Sequence, residues 1–133
     1  MEYSYYNPTA IQFGKGQIKS IVNFISKDQK VLVVYGGGSI KKNGVYAQVV
    51  TALDGYTWSE FGGVEANPSV ETLNKAVEII KGEKIDFILA VGGGSVIDGC
   101  KYLAVASLYD GDGWDFLEGK KVEKAVSLGA ILT

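Results

Sequence analysis

Two stretches of the sequence share one pattern, in which an apolar run ends in three glycines and a serine. Residues 31–35 and 87–91 are apolar throughout, and each run leads directly into Gly-Gly-Gly-Ser, at residues 36–39 and 92–95. Continuous runs rich in valine, isoleucine and leucine are typical of strands that are covered on both faces, as in a parallel sheet. We therefore predict two buried strands that end in the same glycine-rich turn.

The rest of the sequence predicts helices and strands in alternation. The order of these elements favours an α/β fold, with a parallel sheet and helices on its faces. Ser69 is expected to cap the third helix and Gly82 to end it. The apolar spacing indicates helices over residues 18–25, 45–53, 69–82 and 95–108, further strands over residues 9–13, 56–61 and 130–133, and a loop over residues 109–118.

The composition excludes several classes of protein. The chain has 133 residues, the length of one domain, and its 13 basic and 15 acidic residues give a net charge of −2, which argues against nucleic-acid binding. There is no run of roughly 18 apolar residues and no signal-peptide pattern, so we expect a cytoplasmic protein without a membrane span. The chain has no histidine, so histidine can serve neither as a base nor as a metal ligand. Its one cysteine, Cys100, cannot form an intrachain disulfide.

The two glycine-rich turns are candidate phosphate-binding sites. In a parallel sheet both would follow the carboxyl ends of strands, where open α/β sheets bind ligands. Glycine lets the backbone approach a phosphate closely, helix N-terminal amides can donate to it, and Ser39 and Ser95 add hydroxyl donors. The G-x-G-x-x-G pattern lacks its last glycine, and the lysine of a P-loop comes too late. Two equivalent turns favour nucleotide or phosphate binding; the alternative is two tight connections without a ligand.

Charged residues beside the turns each have two interpretations. Asp98 lies three residues after Ser95, in the expected first helical turn, and either accepts hydrogen bonds from a ribose or nicotinamide amide or stabilises the helix dipole. Lys41 and Lys42 either attract an adenosine 2′-phosphate or form a solvated basic pair. Residues 36–39 contain no acid that would disfavour a 2′-phosphate, so NADP is permitted as well as NAD.

The last residues of the sequence, 130–133, are typical of a strand and are not followed by a polar tail. A complete domain more often ends in frayed polar residues. We therefore expect this sequence to be the N-terminal part of a longer protein. The alternative is a domain that ends on an edge strand.

Several segments together resemble one enzyme family. Asn-Pro-Thr at residues 7–9 and Phe-Gly-Lys-Gly at residues 13–16 are followed by matching stretches over residues 35–46, 61–68 and 89–99. In this order, over nearly the whole chain, these segments resemble the iron-containing (group III) alcohol dehydrogenases, especially the butanol dehydrogenase and aldehyde reductase branch. Ala66 is a minor departure, since many members have proline at this position.

The resemblance implies a two-domain enzyme of the dehydroquinate synthase-like type. Residues 1–133 would form its Rossmann-like N-terminal domain, which binds NAD or NADP. A helical C-terminal domain would hold a divalent metal, Fe or Zn, through one aspartate and three histidines, and none of those positions lies in this chain. The implied reaction is reversible hydride transfer between a primary alcohol or aldehyde and NAD(P), in a full-length enzyme that is a homo-oligomer.

The resemblance also implies which residues contact the cofactor, and it implies no catalytic residue within this chain. The adenosine ribose would lie at the first glycine-rich turn and the pyrophosphate at the second. Matched to the family by position, Gly37 and Ser39 would contact the ribose, Gly94 and Ser95 the pyrophosphate, and Asp98 the nicotinamide end. Asn67 and Thr133 match further cofactor contacts of the family.

Two other functions are compatible with the sequence. One is a related enzyme of the same superfamily, such as a glycerol dehydrogenase or a dehydroquinate synthase-like lyase. The other is a stand-alone nucleotide- or phosphate-binding module without catalysis. The spacing of metal ligands beyond Thr133 and the choice among NADPH, NADH and ATP would separate these functions.

Residues 1–133 alone are predicted to bind NAD(P)H weakly or not at all and to leave alcohols unoxidised. The reason is that the metal ligands and a complete substrate pocket, which the implied reaction needs, are not in this sequence. The measurement is NADPH or NADH formation by purified residues 1–133 with a primary alcohol. Turnover above a protein-free blank would contradict the prediction.

Overall fold

The helices and strands of the chain alternate in the computed structural model, which describes residues 2, 9–119, 121 and 124–133. The elements begin with a short 3₁₀ helix at Ile18–Asn23. The strands are β1 (Lys30–Tyr35), β2 (Thr57–Phe61), β3 (Phe87–Gly92) and β4 (Ser127–Leu132). The α-helices are α1 (Ser39–Lys42), α2 (Val45–Ala52), α3 (Val70–Glu83), α4 (Gly94–Ala106) and α5 (Trp114–Leu117). Helices therefore connect each strand to the next, as the sequence predicts.

The strands form a parallel sheet in the order β2–β1–β3–β4. The two apolar runs are its central strands, and every residue of β3 and all but the first of β1 are buried. In the central pair Tyr35 is the register partner of Val91. The prediction of an α/β fold with a parallel sheet is confirmed.

Alternate residues of the central strands face two hydrophobic clusters, one on each side of the sheet. On one side Leu32 and Ile88 pack with α3 and α4, which contributes the fully buried Leu103. On the other side Val33 packs with α2 and the 3₁₀ helix. Each large apolar side chain removed from water contributes roughly 1.5–3 kcal/mol, so helices on both faces are needed to cover the sheet.

The third predicted helix starts as expected but ends later. The Ser69 hydroxyl accepts a hydrogen bond from the Thr72 N–H at 3.1 Å, which confirms the predicted cap. The prediction that Gly82 ends the helix is wrong, since α3 continues to Glu83. The left-handed residue that closes it is Lys84, with a φ of 56° and its N–H bonded to the Ile80 carbonyl.

The N-terminal predictions need correction. The strand expected over residues 9–13 is not formed, and Ile11 and Phe13 are 74% and 96% exposed. Alternating apolar residues make a strand only where a neighbouring strand and an apolar surface receive them, and residues 9–13 have neither within the described part of the chain. The helix expected over residues 18–25 is a 3₁₀ helix of six residues, none of them buried.

The C-terminal part of the chain is more regular than predicted. The stretch expected to be a loop, residues 109–118, contains the short helix α5. The strand expected at residues 130–133 already begins at Ser127 and ends at Leu132. Gly129 obscures this strand in the sequence because glycine is rare in strands. Here it is accommodated by the Phe87 ring, which would lie 3.0 Å from a β-carbon at that position.

Replacing Gly82 by alanine is predicted to raise the free energy of unfolding by about 0.5 kcal/mol, because alanine is the better helix former. A β-carbon at Gly82 would meet no atom within 4 Å. The opposite sign is expected for Gly99→Val in α4, where the β-carbon position is only 3.1 Å from Leu73 and 3.5 Å from Pro68. That substitution should cost about 1–3 kcal/mol.

Urea denaturation followed by circular dichroism measures both changes in the free energy of unfolding. A stabilising Gly99→Val variant would contradict the close approach of α4 to Leu73 and Pro68. A destabilising Gly82→Ala variant would contradict the open surroundings of Gly82.

Candidate nucleotide-binding site

The two glycine-rich turns lie side by side at the carboxyl edge of the sheet. From β1 the chain passes to β2 on one side, whereas β3 lies on the other side of β1. The boundary between β1 and β3 is therefore the point where the strand order changes direction, and open α/β sheets bind ligands at such a point. Adjacent strands are about 4.8 Å apart, so the turns that follow the register partners Tyr35 and Val91 are neighbours.

Backbone hydrogen bonds to the segment after β2 fix the start of the first turn. The N–H groups of Gly63 and Val64 donate to the carbonyls of Gly36 and Tyr35, at 2.9 and 3.2 Å. A β-carbon at Gly36 would lie 3.2 Å from the Val64 carbonyl oxygen. The fold itself therefore favours glycine at position 36, because the two backbones approach closely there.

The outer part of the first turn is open. Gly38 has a φ of 103°, which favours glycine whatever lies nearby. Gly37 has no such φ, and a β-carbon there would meet no atom within 4 Å. Gly37 and Ser39 are both exposed. The first turn thus presents bare backbone and one hydroxyl to its surroundings, which leaves space for a ligand.

The second turn repeats this division between packed and open glycines. Gly92 has a φ of 155°, and a β-carbon there would lie 3.0 Å from a methyl carbon of Val96. At Gly93 and Gly94, by contrast, a β-carbon would meet no atom within 4 Å. The Thr133 N–H donates to the Gly92 carbonyl at 3.1 Å, which brings Thr133 to the side of this turn.

The N-terminus of α4 has the properties of an anion-binding site. Gly93 is its N-cap, no side chain caps it, and its first turn contains no acid. The first N–H groups of a helix have no intrahelical acceptor, and the helix dipole adds roughly half a positive charge. Ser95, half-buried in this turn, adds a hydroxyl. At Gly93 and Gly94 an added β-carbon would project into open space beside the first N–H groups of the helix. A phosphate group fits in that space and can accept hydrogen bonds from those N–H groups.

Asp98 lies farther along α4 than predicted. The helix begins at Gly94, so Asp98 falls in its second turn, and the prediction of a first-turn position is wrong. Its side chain is 76% exposed and lies 3.5 Å from the Lys101 ammonium, also largely exposed. An exposed pair of this kind contributes little to stability. Asp98 is therefore accessible on the helix that starts at the second turn.

Asn67 lies at the same edge, in the connection between β2 and α3. It is exposed and has a left-handed φ of 50°. Around it the Glu65 carboxylate accepts hydrogen bonds from the Ser69 N–H at 3.0 Å and from the Thr72 hydroxyl at 2.9 Å. These bonds, that of the Ser69 N–H foremost, lower the pKa of Glu65. The turn that presents Asn67 is thus fixed on the helix side by hydrogen bonds.

A group beside the first turn was not anticipated from the sequence. The Lys41 ammonium lies 5.4 Å from the ring centroid of Tyr35 and 4.9 Å from that of Tyr46. The tyrosine hydroxyls donate to the Glu60 carboxylate, Tyr46 at 2.6 Å and Tyr35 at 3.4 Å. We call Tyr35, Tyr46 and Glu60 the tyrosine platform. Each cation–π contact is worth roughly 0.5–1 kcal/mol at an exposed site.

Hydrogen bonding within the tyrosine platform affects its titration. The bond to Glu60, followed by burial and the charge of Glu60, raises the pKa of Tyr46 to about 12. Tyr46 is therefore protonated at neutral pH and donates to Glu60. Tyr46, Glu60 and Lys41 are far apart in the sequence or on different elements, so no local pattern could have revealed the group.

Cys100 is a packing residue. It is fully buried in the cluster between the sheet and α4. Burial raises the pKa of its thiol to about 12, so the reactive thiolate is not populated at neutral pH. This agrees with the interpretation of Cys100 as part of the core.

Two open cavities lie away from the glycine-rich turns. Both have volumes of about 280–290 Å³ and adjoin the segment that follows α4. Tyr109 and Phe116 line one of them, and Asn74 and Asp112 line the other. Because α4 starts at the carboxyl edge of the sheet and runs back across it, these cavities lie toward the opposite edge. They contain none of the residues predicted to contact a cofactor.

The described residues include no group of three or more His, Cys, Asp or Glu side chains that could hold a metal ion. They therefore do not fit the divalent metal that the resemblance implies, and the roles proposed for this chain concern the nucleotide alone. In the same part of the chain, no helix is long and apolar enough to cross a membrane.

Comparison with known proteins identifies relatives over nearly the whole chain. The chain is 47% identical over 135 residues to the NADPH-dependent aldehyde reductase YqhD of Escherichia coli, covering 98% of this chain and 35% of that protein. It is 48% identical over 135 residues to a probable NADH-dependent butanol dehydrogenase 1 of Bacillus subtilis, with the same coverage of 98% and 35%. The chain thus spans about a third of the length of these relatives.

Solved structures agree with the sequence relatives. The crystal structure of E. coli YqhD matches with a TM-score of 0.94 and 46% identity, covering 98% of this chain and 35% of that one. The NADH-dependent butanol dehydrogenase A of Thermotoga maritima matches with a TM-score of 0.93 and 47% identity, covering 99% and 34%. These matches confirm the Rossmann-like fold inferred from the resemblance.

Nearly the whole chain matches the pattern of one enzyme family. The sequence profile described as "Iron-containing alcohol dehydrogenase" matches residues 8–133. This range includes both glycine-rich turns, the segment with Asn67 and the last strand. The chain belongs to the iron-containing alcohol dehydrogenase family.

Proposed function

We propose that this chain supplies the NAD(P)-binding part of a metal-dependent alcohol dehydrogenase or aldehyde reductase. The observation that carries the proposal is the pair of open glycine-rich turns on either side of the β1–β3 boundary. The space that a side chain would occupy is empty at Gly37, Gly93 and Gly94, so packing does not explain why these positions are glycine. Related proteins are named as NADPH- and NADH-dependent enzymes, which supports a nicotinamide nucleotide as the ligand.

In this proposal the second turn binds the pyrophosphate. The amides of Gly94 and Ser95 begin α4, and neither a capping side chain nor a first-turn acid competes for them. A diphosphate carries negative charge that the helix dipole stabilises and oxygens that the N–H groups can bond. The absence of a side chain at Gly94 lets these oxygens reach the backbone.

The first turn would hold the adenosine ribose. Gly37 is open and Ser39 exposed, so a sugar can contact the backbone and accept or donate a hydrogen bond at the hydroxyl. Because β1 and β3 are adjacent, one dinucleotide can reach both turns at once. A free phosphate would use only one of them, so the paired turns favour a nucleotide.

Three further residues complete the proposed cofactor contacts. Asn67 projects from the turn after β2 at the same edge as the two glycine-rich turns. Thr133 lies beside Gly92 through its backbone hydrogen bond. Asp98 is exposed in the second turn of α4 and would accept hydrogen bonds from the nicotinamide end rather than stabilise the first turn of the helix.

The proposed reaction is reversible hydride transfer between a primary alcohol and NAD(P), in a larger assembly to which this chain contributes cofactor binding. When bound, the nicotinamide ring accepts or returns the hydride. The chain's own residues bind and orient the nucleotide at the edge of the sheet. The cytoplasmic location, the homo-oligomer and the extent of the domain over residues 1–133 stay predictions.

Isothermal titration calorimetry of the full-length gene product with NADPH, NADH and ATP tests the proposed ligand. We expect saturable binding of at least one nicotinamide nucleotide, competition between NADPH and NADH, and much weaker binding of ATP, which lacks the nicotinamide half. Binding of ATP alone would refute the proposal and favour a nucleotide-binding module without catalysis.

Replacing Gly94 by valine is predicted to weaken NADPH and NADH binding by about tenfold or more without unfolding the protein. The added side chain enters open space, so it does not disturb the fold, but it blocks the approach of a phosphate to the α4 amides. A loss of 1.4 kcal/mol corresponds to tenfold in affinity. Titration calorimetry gives the dissociation constants and thermal unfolding reports stability.

Gly82→Val is the matched control for this substitution. Gly82 has the same open surroundings, but it lies in the last turn of α3, toward the opposite edge of the sheet. We expect Gly82→Val to leave both dissociation constants within about twofold of the original values, since it touches no proposed contact. Equal losses of affinity in the two variants would show that the second turn is not the binding site.

A further inference from the structure

Asn67 has a backbone conformation that its local sequence does not favour. Its φ of 50° is in the left-handed region, where glycine is the usual residue and asparagine is among the best tolerated of the others. Pro68 follows it, and a proline restricts the backbone of the residue before it. Such a conformation persists only where the surrounding structure holds it. Asn67 therefore depends on its neighbours for its position.

The Glu65 carboxylate closes the loop that contains Asn67. Its Oε1 atom accepts hydrogen bonds from the Ser69 N–H at 3.0 Å and from the Thr72 hydroxyl at 2.9 Å. The first bond spans residues 66–68, and the second ties the loop to the first turn of α3. Hydrogen bonds to an ionised carboxylate are stronger than those between neutral groups. They lower the pKa of Glu65, which is therefore charged at neutral pH.

The two ends of this loop are anchored to β1 and to α4. On one side the Val64 N–H donates to the Tyr35 carbonyl at 3.2 Å, and the Val64 side chain is buried. On the other side Pro68 lies beside α4, since a β-carbon at Gly99 would be 3.5 Å from the Pro68 Cγ atom. Between these two anchors, the bonds to Glu65 cross the loop and hold Asn67 next to the helix that begins at the second glycine-rich turn.

The side chain of Asn67 is not used by the fold. It is exposed, and it makes no hydrogen bond to another described residue. Glycine would adopt the left-handed φ at lower cost, so the backbone alone does not account for asparagine at this position. An amide that both donates and accepts hydrogen bonds suits a contact with a polar ligand. In the proposed function that ligand is the nicotinamide nucleotide.

We propose that Glu65 is a positioning residue, which holds the loop so that the Asn67 amide is placed to contact the bound nucleotide. The inference rests on the proposed function, because it needs the nucleotide to lie at this edge of the sheet. Glu65 acts through Asn67 and does not itself contact the nucleotide. Its effect is expected for NADPH and NADH alike, since the two differ only at the 2′ position of the ribose.

Alanine and glutamine at position 65 test the closure of the loop. Glu65→Ala removes both hydrogen bonds and should weaken NADPH and NADH binding by about fivefold, because the loop then spends less time in the binding conformation. Glu65→Gln keeps a carbonyl oxygen for both bonds, which end on one atom, and should stay within about twofold of the original affinity. Titration calorimetry of the full-length gene product gives the dissociation constants, and thermal unfolding reports whether each variant is folded.

Glu71→Ala is the matched control, since it removes the same charge from the same end of α3. The Glu71 side chain is exposed in the first turn and makes no hydrogen bond or ion pair with another described residue. We expect it to leave both dissociation constants within about twofold of the original values. A loss equal to that of Glu65→Ala would assign the effect to charge or to the helix and overturn the inference.

A double-mutant cycle with Asn67→Gly tests whether Glu65 acts through Asn67. Glycine removes the amide and accepts the left-handed φ, so this variant alone should weaken both nucleotides by about fivefold. Adding Glu65→Ala to Asn67→Gly should cause no further loss beyond about twofold, because no amide is left to position. A role of Glu65 that is only structural would multiply the two losses instead.

The outcomes separate the inference from the proposed function. A loss in Glu65→Ala, its recovery in Glu65→Gln and no further loss in the double variant support the inference. Unchanged affinity in Glu65→Ala or in Asn67→Gly, an equal loss in Glu65→Gln, or multiplied losses in the double variant overturn it and leave the proposed function intact. An original protein that binds neither nucleotide overturns both.

Discussion

The parallel pairing of β1 with β3 is the interaction on which the rest of the structure depends. Apart from Lys30 at the start of β1, both strands are buried along their length, so each is stable only at the centre of a sheet that is covered on both faces. Their register sets which side chains face each hydrophobic cluster, and a slip by one residue would reverse every one of them. The same pairing brings two distant segments of the chain, 36–39 and 92–95, to one place.

The glycines of the two turns divide by physical role. At Gly36 and Gly92 a side chain would approach Val64 or Val96 too closely, so folding alone accounts for them. At Gly37, Gly93 and Gly94 nothing in the described structure opposes a side chain. Glycine at such positions carries an entropic cost of folding without a packing benefit. The proposed nucleotide, whose phosphates and ribose would contact the backbone at these positions, accounts for glycine there.

Local sequence patterns predicted the elements that depend on contacts between neighbouring residues or that have an unusual composition. The two apolar runs, the cap at Ser69 and the glycine-rich turns belong to this group. The strand expected over residues 9–13 failed because alternation says nothing about the presence of a neighbouring strand. Asp98 was placed in the wrong helical turn because Gly93, which lacks a side chain, can cap a helix in an extended conformation that the sequence does not reveal.

The group of side chains found only in the structure depends on contacts between different elements. Tyr46 of α2 and Glu60 of β2 are joined by a hydrogen bond, and a lysine contact over two rings has no sequence signature. Similarity to known proteins does not settle which nicotinamide nucleotide is preferred. The relatives named as NADPH- and NADH-dependent are almost equally similar to this chain, at 47% and 48% identity.

A physical distinction between binding and selectivity follows from the positions of these groups. NADP and NAD share the pyrophosphate, so in the proposed function the N-terminus of α4 contributes to affinity for both but does not discriminate between them. The difference between them lies at the ribose, which the proposed function assigns to the first turn. In that proposal the affinity common to both nucleotides and the discrimination between them depend on different turns of the same sheet edge.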